Sequence, residues 1–258
     1  MTDPAPRRWV LLHGFTGGPA VWDGVRAALV PHGAVLCPAI VGHAGRGSAS
    51  AAAAPATDFV SEVDRLAALI AAAGFAASHL CGYSLGGRLA LGLLVRHPGL
   101  FSRATLIGAH PGLPEHGDER QRRDDVDERW AVLAERAPAE FFARWAAQPL
   151  FASQRATSPE AFAAQQSLRA AHDGAGLAAA MRALSLARMP DWHPFLSRLA
   201  MPVRLVAGGR DTKFVALARE MARRIPQAAL TIVPGVGHNV VLEEPAAIVA
   251  ALLDQGHG

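Results

Sequence analysis

A chain of 258 residues, 51% hydrophobic and 18% charged, carries enough apolar mass for one large core and does not have the composition of a disordered polymer. A formal net charge of +3, without an RNP motif, a zinc finger or a basic helix interleaved with aromatics, argues against nucleic acid as a partner. No apolar run approaches the roughly 18 residues of a membrane span, and "MTDPAPRRWVLLHG" lacks a secretory apolar core, so a cytoplasmic protein is expected.

In chain order, "RWVLLHG" (8–14) reads as a strand entering a glycine loop. "AVLCPAI" (34–40), "SHLCGYS" (78–84) and "RATLIGAH" (103–110) read as further strands. Helical patterns near 19–30, 57–73 and 85–96 separate them, while Pro55 breaks the alanine run at 51–56 into a loop. Strands alternating with helices predict a mostly parallel sheet covered on both faces. From 113 to 195 the pattern changes to alanine-rich, charged helix without a convincing strand. "PVRLVAGGRD" (202–211) and "AALTIVPGVGH" (228–238) then restore the alternation. The reading is an α/β core, residues 1–112 and 196–258, interrupted by a helical cap at 113–195. The cysteines Cys37 and Cys81 lie in apolar strands and read as buried free thiols.

Gly82-Tyr83-Ser84-Leu85-Gly86 fits G-x-S-x-G between a strand and a helix, where a sharp turn presents the serine as a nucleophile or base. His238 in "GVGHN" and Asp211 in "AGGRDTKF" follow the last two strands. The order Ser84, Asp211, His238 is that of the α/β-hydrolase fold; Asp211 also fits a helix N-cap. His97, His172 and His193 read as surface or capping residues. "HGFTGG" (13–18) after the first strand resembles an oxyanion loop, with the backbone N–H groups of Phe15 and Leu85 as donors. Arg88 stands one helical turn after Ser84, where an unpaired buried charge would be expensive unless it met an anion. Arg123 and Asp127 have i, i+4 spacing.

The segments "GYSLGGRLAL", "RRDDVDERWA", "RWAAQPLFAS", "SLRAAHDGAGLAAAMR", "AGGRDTKF" and "GVGHNVVLEEP" together resemble the 2-succinyl-6-hydroxy-2,4-cyclohexadiene-1-carboxylate synthases of menaquinone biosynthesis, over residues 9–250. The resemblance implies a lyase on a hydrolase fold, eliminating pyruvate from a small-molecule tricarboxylate, with no metal and no organic cofactor. It implies substrate binding by Tyr83, Arg88, Arg123, Trp145 and Arg169, because guanidinium groups pair bidentately with carboxylates. His110, Val241 and "PAIVGHAG" (38–45) depart from the family's usual residues. A carboxylesterase or C–C bond hydrolase of the same fold is the alternative, and a non-catalytic ligand-binding protein a second; monomer and dimer fit equally well.

Overall fold

The computed structural model of the protein describes residues 7–43, 58–115 and 117–254. Six parallel strands form one sheet: β1 (Arg7–Leu12), β2 (Gly33–Leu36), β3 (Ser78–Tyr83), β4 (Phe101–Ile107), β5 (Val203–Gly208) and β6 (Ala228–Val233), in the order β2-β1-β3-β4-β5-β6. The expected parallel sheet is present.

Alternation along β1 builds two cores, because successive side chains of a strand point to opposite faces. Trp9 and Leu11 join Trp22, Val25 and Leu29 on one face. They meet helix α1 (Asp23–Leu29), and Ile248 and Leu252 arrive there from the C-terminal helix Pro245–Leu253. Val10 and Leu12 join the other core. There they meet helix α2 (Phe59–Ala72) through Phe59, Val63 and Leu66, and helix α3 (Leu85–Arg96) through Leu89 and Leu93. A sheet buried on both faces explains why the strands read as near-continuous apolar runs.

Two strands are shorter than their apolar runs. β2 pairs with β1 only from Gly33 to Leu36, since Pro38 has no N–H to donate to a ladder. β4 ends at Ile107 because Gly108 turns the chain with φ +54°. Cys81 is buried and Cys37 half-buried, both as free thiols. The alanine run at 51–56 lies outside the described residues.

Between β4 and β5, the described residues contain no strand. They form α4 (Asp118–Arg136), α5 (Pro138–Ala146), α6 (Pro159–Ala170) and α7 (Gly174–Ala183). These helices have an apolar cluster of their own around Ala131, Ala134, Phe141, Leu177 and Met181. Arg120 fastens both ends of this excursion: its guanidinium donates to Leu113 O (2.5 Å), Pro114 O (2.9 Å), Ala187 O (2.6 Å) and Met189 O (3.0 Å). Helix α8 (Thr212–Arg224) returns the chain to the sheet, and α9 (Val240–Glu243) and α10 (Pro245–Leu253) close it. No helix among the described residues is long and apolar enough to cross a membrane.

The chain runs from β1 outward to β2, then crosses to β3 on the other side of β1. The loops after β1 and β3 therefore part at a topological switch point, where a crevice opens at the carboxyl ends of the strands. Phe141 is fully buried against Trp130 and Trp145. Phe141→Ala is expected to destabilise the helical excursion by about 3–5 kcal/mol, measured by urea unfolding followed through tryptophan fluorescence.

Candidate active site

Ser84 joins β3 to α3 with φ +53° and ψ −109°, a left-handed conformation that a non-glycine residue holds only when its surroundings enforce it. Small neighbours make it possible. A Cβ on Gly82 would lie 2.3 Å from Gly86 O, and one on Gly86 would lie 2.2 Å from Leu12 O. The turn thus presses against the end of β1, and Ser84 N donates to Ile107 O at 2.9 Å.

His238 Nε2 lies 3.0 Å from Ser84 Oγ, and His238 Nδ1 lies 2.7 Å from Asp211 Oδ2. An ionised carboxylate only accepts, so Nδ1–H donates to Asp211, leaving Nε2 to accept from the serine hydroxyl. Asp211 also caps α8: its other oxygen, Oδ1, accepts from Phe214 N at 3.3 Å. The two sequence readings of Asp211 are therefore compatible, one per oxygen. Glu243 anchors the histidine loop by accepting from Gly237 N (2.8 Å) and Ser153 Oγ (3.0 Å). Gly108 makes room for the imidazole, because a Cβ there would come within 2.9 Å of His238 Cε1.

Ser84 and His238 open onto a cavity of about 610 Å³. Phe15 and Leu85 line it beside the serine, and Tyr83, Arg88, Arg123, Trp145 and Arg169 line its walls. The sequence-predicted residues thus gather around one space, with Asp211 behind the imidazole. The strand ends supply the serine side and the helical excursion supplies Arg123, Trp145 and Arg169.

The three guanidinium groups differ. Arg88 donates to Leu184 O at 2.9 Å and lies 5.9 Å from the Phe59 ring; loss of water and the nearby charge of Arg123 pull its pKa down to about 9, partly offset by Asp127. Arg123 is paired through Nε with Asp127 Oδ2 at 2.9 Å, and buried Asp127 also accepts from Ser185 Oγ at 2.7 Å. Arg169 is 3% exposed, lies 5.0 Å over the Phe151 ring, and donates to Gln154 Oε1 over a long 3.5 Å; among the described residues its Nη1 has no hydrogen-bond partner. Burial lowers its pKa, offset by Tyr83. Such an unmet buried donor is costly unless a ligand answers it.

Residues 9–251 match the alpha/beta hydrolase family. A 2-succinyl-6-hydroxy-2,4-cyclohexadiene-1-carboxylate synthase of Enterobacter sp. (strain 638) is 36% identical over 244 residues, covering 94% of this chain and 89% of the relative. The synthase of that name from Salmonella schwarzengrund is 36% identical, covering 96% of this chain and 93% of its own. This chain belongs to that synthase family, within the alpha/beta hydrolases. Among solved structures, MenH from S. aureus shares the fold with TM-score 0.89 at 24% identity, covering 98% of this chain and 94% of that one. A malate-bound esterase from Thermogutta terrifontis shares it with TM-score 0.79 at 22% identity, covering 95% and 88%.

In this member of the synthase family, several residues of the site were not evident in sequence. Gln165 lines the cavity, and its buried Oε1 has no hydrogen-bond partner among the described residues; it stands four residues before Arg169 on α6, a spacing that does put both on one helix face. Gln154, which holds Arg169, carried no signal. His172 corrects the reading of a surface or capping residue: it is buried, and its ring lies 5.6 Å from that of His43. His43 in turn meets His13 and Phe15, each at 5.1 Å. The imidazoles thus link the helical excursion to the loop carrying Phe15. His97 does cap α3, its N–H donating to Leu93 O, and His193 pairs with Asp191. Of the departures, His110 and Val241 line the cavity, and "PAIVGHAG" is described only through His43.

Burial holds His13, His43 and His110 neutral. His13 is lowered to about 4, chiefly by desolvation, with Gly14 O opposing and His172 adding. His110 is lowered to about 3 by desolvation, then Lys213 and Arg88. The unfolded chain binds their protons near pH 6.5 and the folded chain does not, so stability is complete above about pH 6.5 and declines as pH falls towards 4. Between pH 6.5 and 5 the loss should be about 2 kcal/mol for each residue, measured by urea unfolding at both pH values; His13→Asn should remove its share.

Proposed function

We propose that this chain eliminates pyruvate from 2-succinyl-5-enolpyruvyl-6-hydroxy-3-cyclohexene-1-carboxylate, yielding 2-succinyl-6-hydroxy-2,4-cyclohexadiene-1-carboxylate, with Ser84 as the proton-abstracting base. The observation that carries this reading is the hydrogen-bonded series Ser84–His238–Asp211 facing a cavity that also holds three arginines, in a chain whose 36% identical relatives bear this synthase's name. The substrate is a trianion, and cations in a dry cavity recognise carboxylates far better than they recognise a neutral ester.

In this mechanism Asp211 keeps the imidazole in the tautomer that accepts from Ser84. The serine oxygen removes the ring proton alpha to the succinyl ketone while its own proton passes to His238 Nε2. The enolate oxygen is stabilised by the N–H groups of Phe15 and Leu85, preorganised donors of the kind worth about 3–4 kcal/mol. The electron pair then expels enolpyruvate, imidazolium returns its proton, and the enol becomes pyruvate. Proton transfer by a positioned base contributes about 10²–10⁴-fold. Arg88, Arg123 and Arg169 hold the carboxylates, Tyr83 and Trp145 shape the wall, and residues 113–195 act as a cap over the site. No cofactor takes part.

Ser84→Ala should lower kcat for pyruvate release by about 10²–10⁴-fold while KM moves only a few-fold. Unchanged pyruvate release would remove Ser84 from the role of base, and wild-type protein that released none would leave the ligand-binding alternative standing. A second comparison separates the synthase from an esterase. Arg88→Ala or Arg169→Ala should each lower kcat/KM for pyruvate release by about 1.5–3 kcal/mol, the worth of a charged hydrogen bond, and barely alter cleavage of a neutral p-nitrophenyl ester. Arg123→Ala would also strand buried Asp127, so the double variant R123A/D127N is the fair test there. A constant ratio of the two rates across these variants would favour the esterase.

A further inference from the structure

A second, more open groove of about 650 Å³ adjoins the catalytic cavity. Leu150, Lys213 and His238 line both spaces; Asp211 lines only the groove. The groove therefore reaches the imidazole from the side where its carboxylate partner sits. One wall is the 3-10 segment Pro149–Ala156 of the helical excursion, and the other is the turn from Arg210 into α8.

Its charge is net positive. Arg155 lines it from one wall and Arg210 and Lys213 from the other, and all three are exposed. Among the described residues none of the three is in an ion pair, unlike Arg182, Arg188 and Arg224, which meet Glu128, Asp124 and Glu220. The groove's acidic side chain, Asp211, is already committed through both oxygens, to His238 Nδ1 and Phe214 N. Three cations against the one carboxylate of Asp211 leave the groove net positive beside His238, and such a potential concentrates anions.

We propose that this groove is a carboxylate docking site through which anionic ligands reach or leave the catalytic cavity. The inference rests on the reaction assigned above, which consumes a tricarboxylate and releases pyruvate, and both carry the chemistry that Arg155 and Arg210 would hold in bidentate fashion. Lys213, shared by both spaces, hands the anion from one to the other.

The double variant R155Q/R210Q tests the site, since neither residue lines the catalytic cavity and both are solvent-exposed. If the groove captures the arriving tricarboxylate, kcat/KM should fall three- to tenfold with kcat within twofold. The decline of log kcat/KM with added salt should flatten as well, because steering charges act on encounter. If it holds the leaving product, pyruvate titrated calorimetrically into the enzyme should bind several-fold more weakly in the variant, and product inhibition should weaken in parallel. R155K/R210K should restore the salt dependence and only part of the pyruvate affinity, since lysine keeps charge and loses the fork. Unchanged kcat/KM, salt slope and pyruvate affinity together would overturn the proposal. The calorimetric arm needs no turnover, so a wild-type enzyme that released no pyruvate would refute the assigned reaction while the titration still judged the groove.

Discussion

The backbone at Ser84 is the constraint on which the site depends. A left-handed residue between a parallel strand and a helix survives only if the two glycines that flank it let α3 descend onto the end of β1, with the positions of their missing Cβ atoms 2.2–2.3 Å from Leu12 O and Gly86 O. That contact fixes three things together. It aims the serine hydroxyl out of the sheet, brings the start of α3 beside the loop after β1, and sets the imidazole above Gly108, where no side chain could fit. Strain in the turn is repaid by the two apolar cores that clamp β1 and β3 from both faces.

Electrostatics in the cavity follow a different logic for each arginine. Arg88 is stabilised by a helix-end carbonyl and an aromatic face and Arg123 by a buried aspartate, while Arg169 keeps an unanswered donor. A charge that lacks a partner inside the protein is poised for one outside it, whereas a charge already paired must trade.

Aromatic packing couples the helical excursion to the loop after β1. Phe15 lies 5.1 Å from both Trp145 and His43, and His43 continues to His172 at 5.6 Å. The backbone N–H proposed for the enolate thus sits on a side chain wedged between two parts of the chain distant in sequence. Keeping His13 and His43 neutral by burial spares this wedge from mutual repulsion.

By itself the sequence determined the alternating strands and helices, the elbow around Ser84, the order Ser84–Asp211–His238 and the place of Arg88 one turn after the serine. These are local signals: a period of two in β1, small residues at fixed offsets, a helix beginning at Asp211. Strand ends were less legible, because Pro38 and Gly108 stop β2 and β4 within apolar runs. Only tertiary structure decided that His172 is buried against a core loop rather than solvated, that Gln154 holds Arg169, that Gln165 lines the cavity, and that Arg155, Arg210 and Lys213 share a groove. Each of those depends on residues far apart in the chain being brought together by burial, and a side chain's desolvation and partners are properties of that meeting rather than of its own segment.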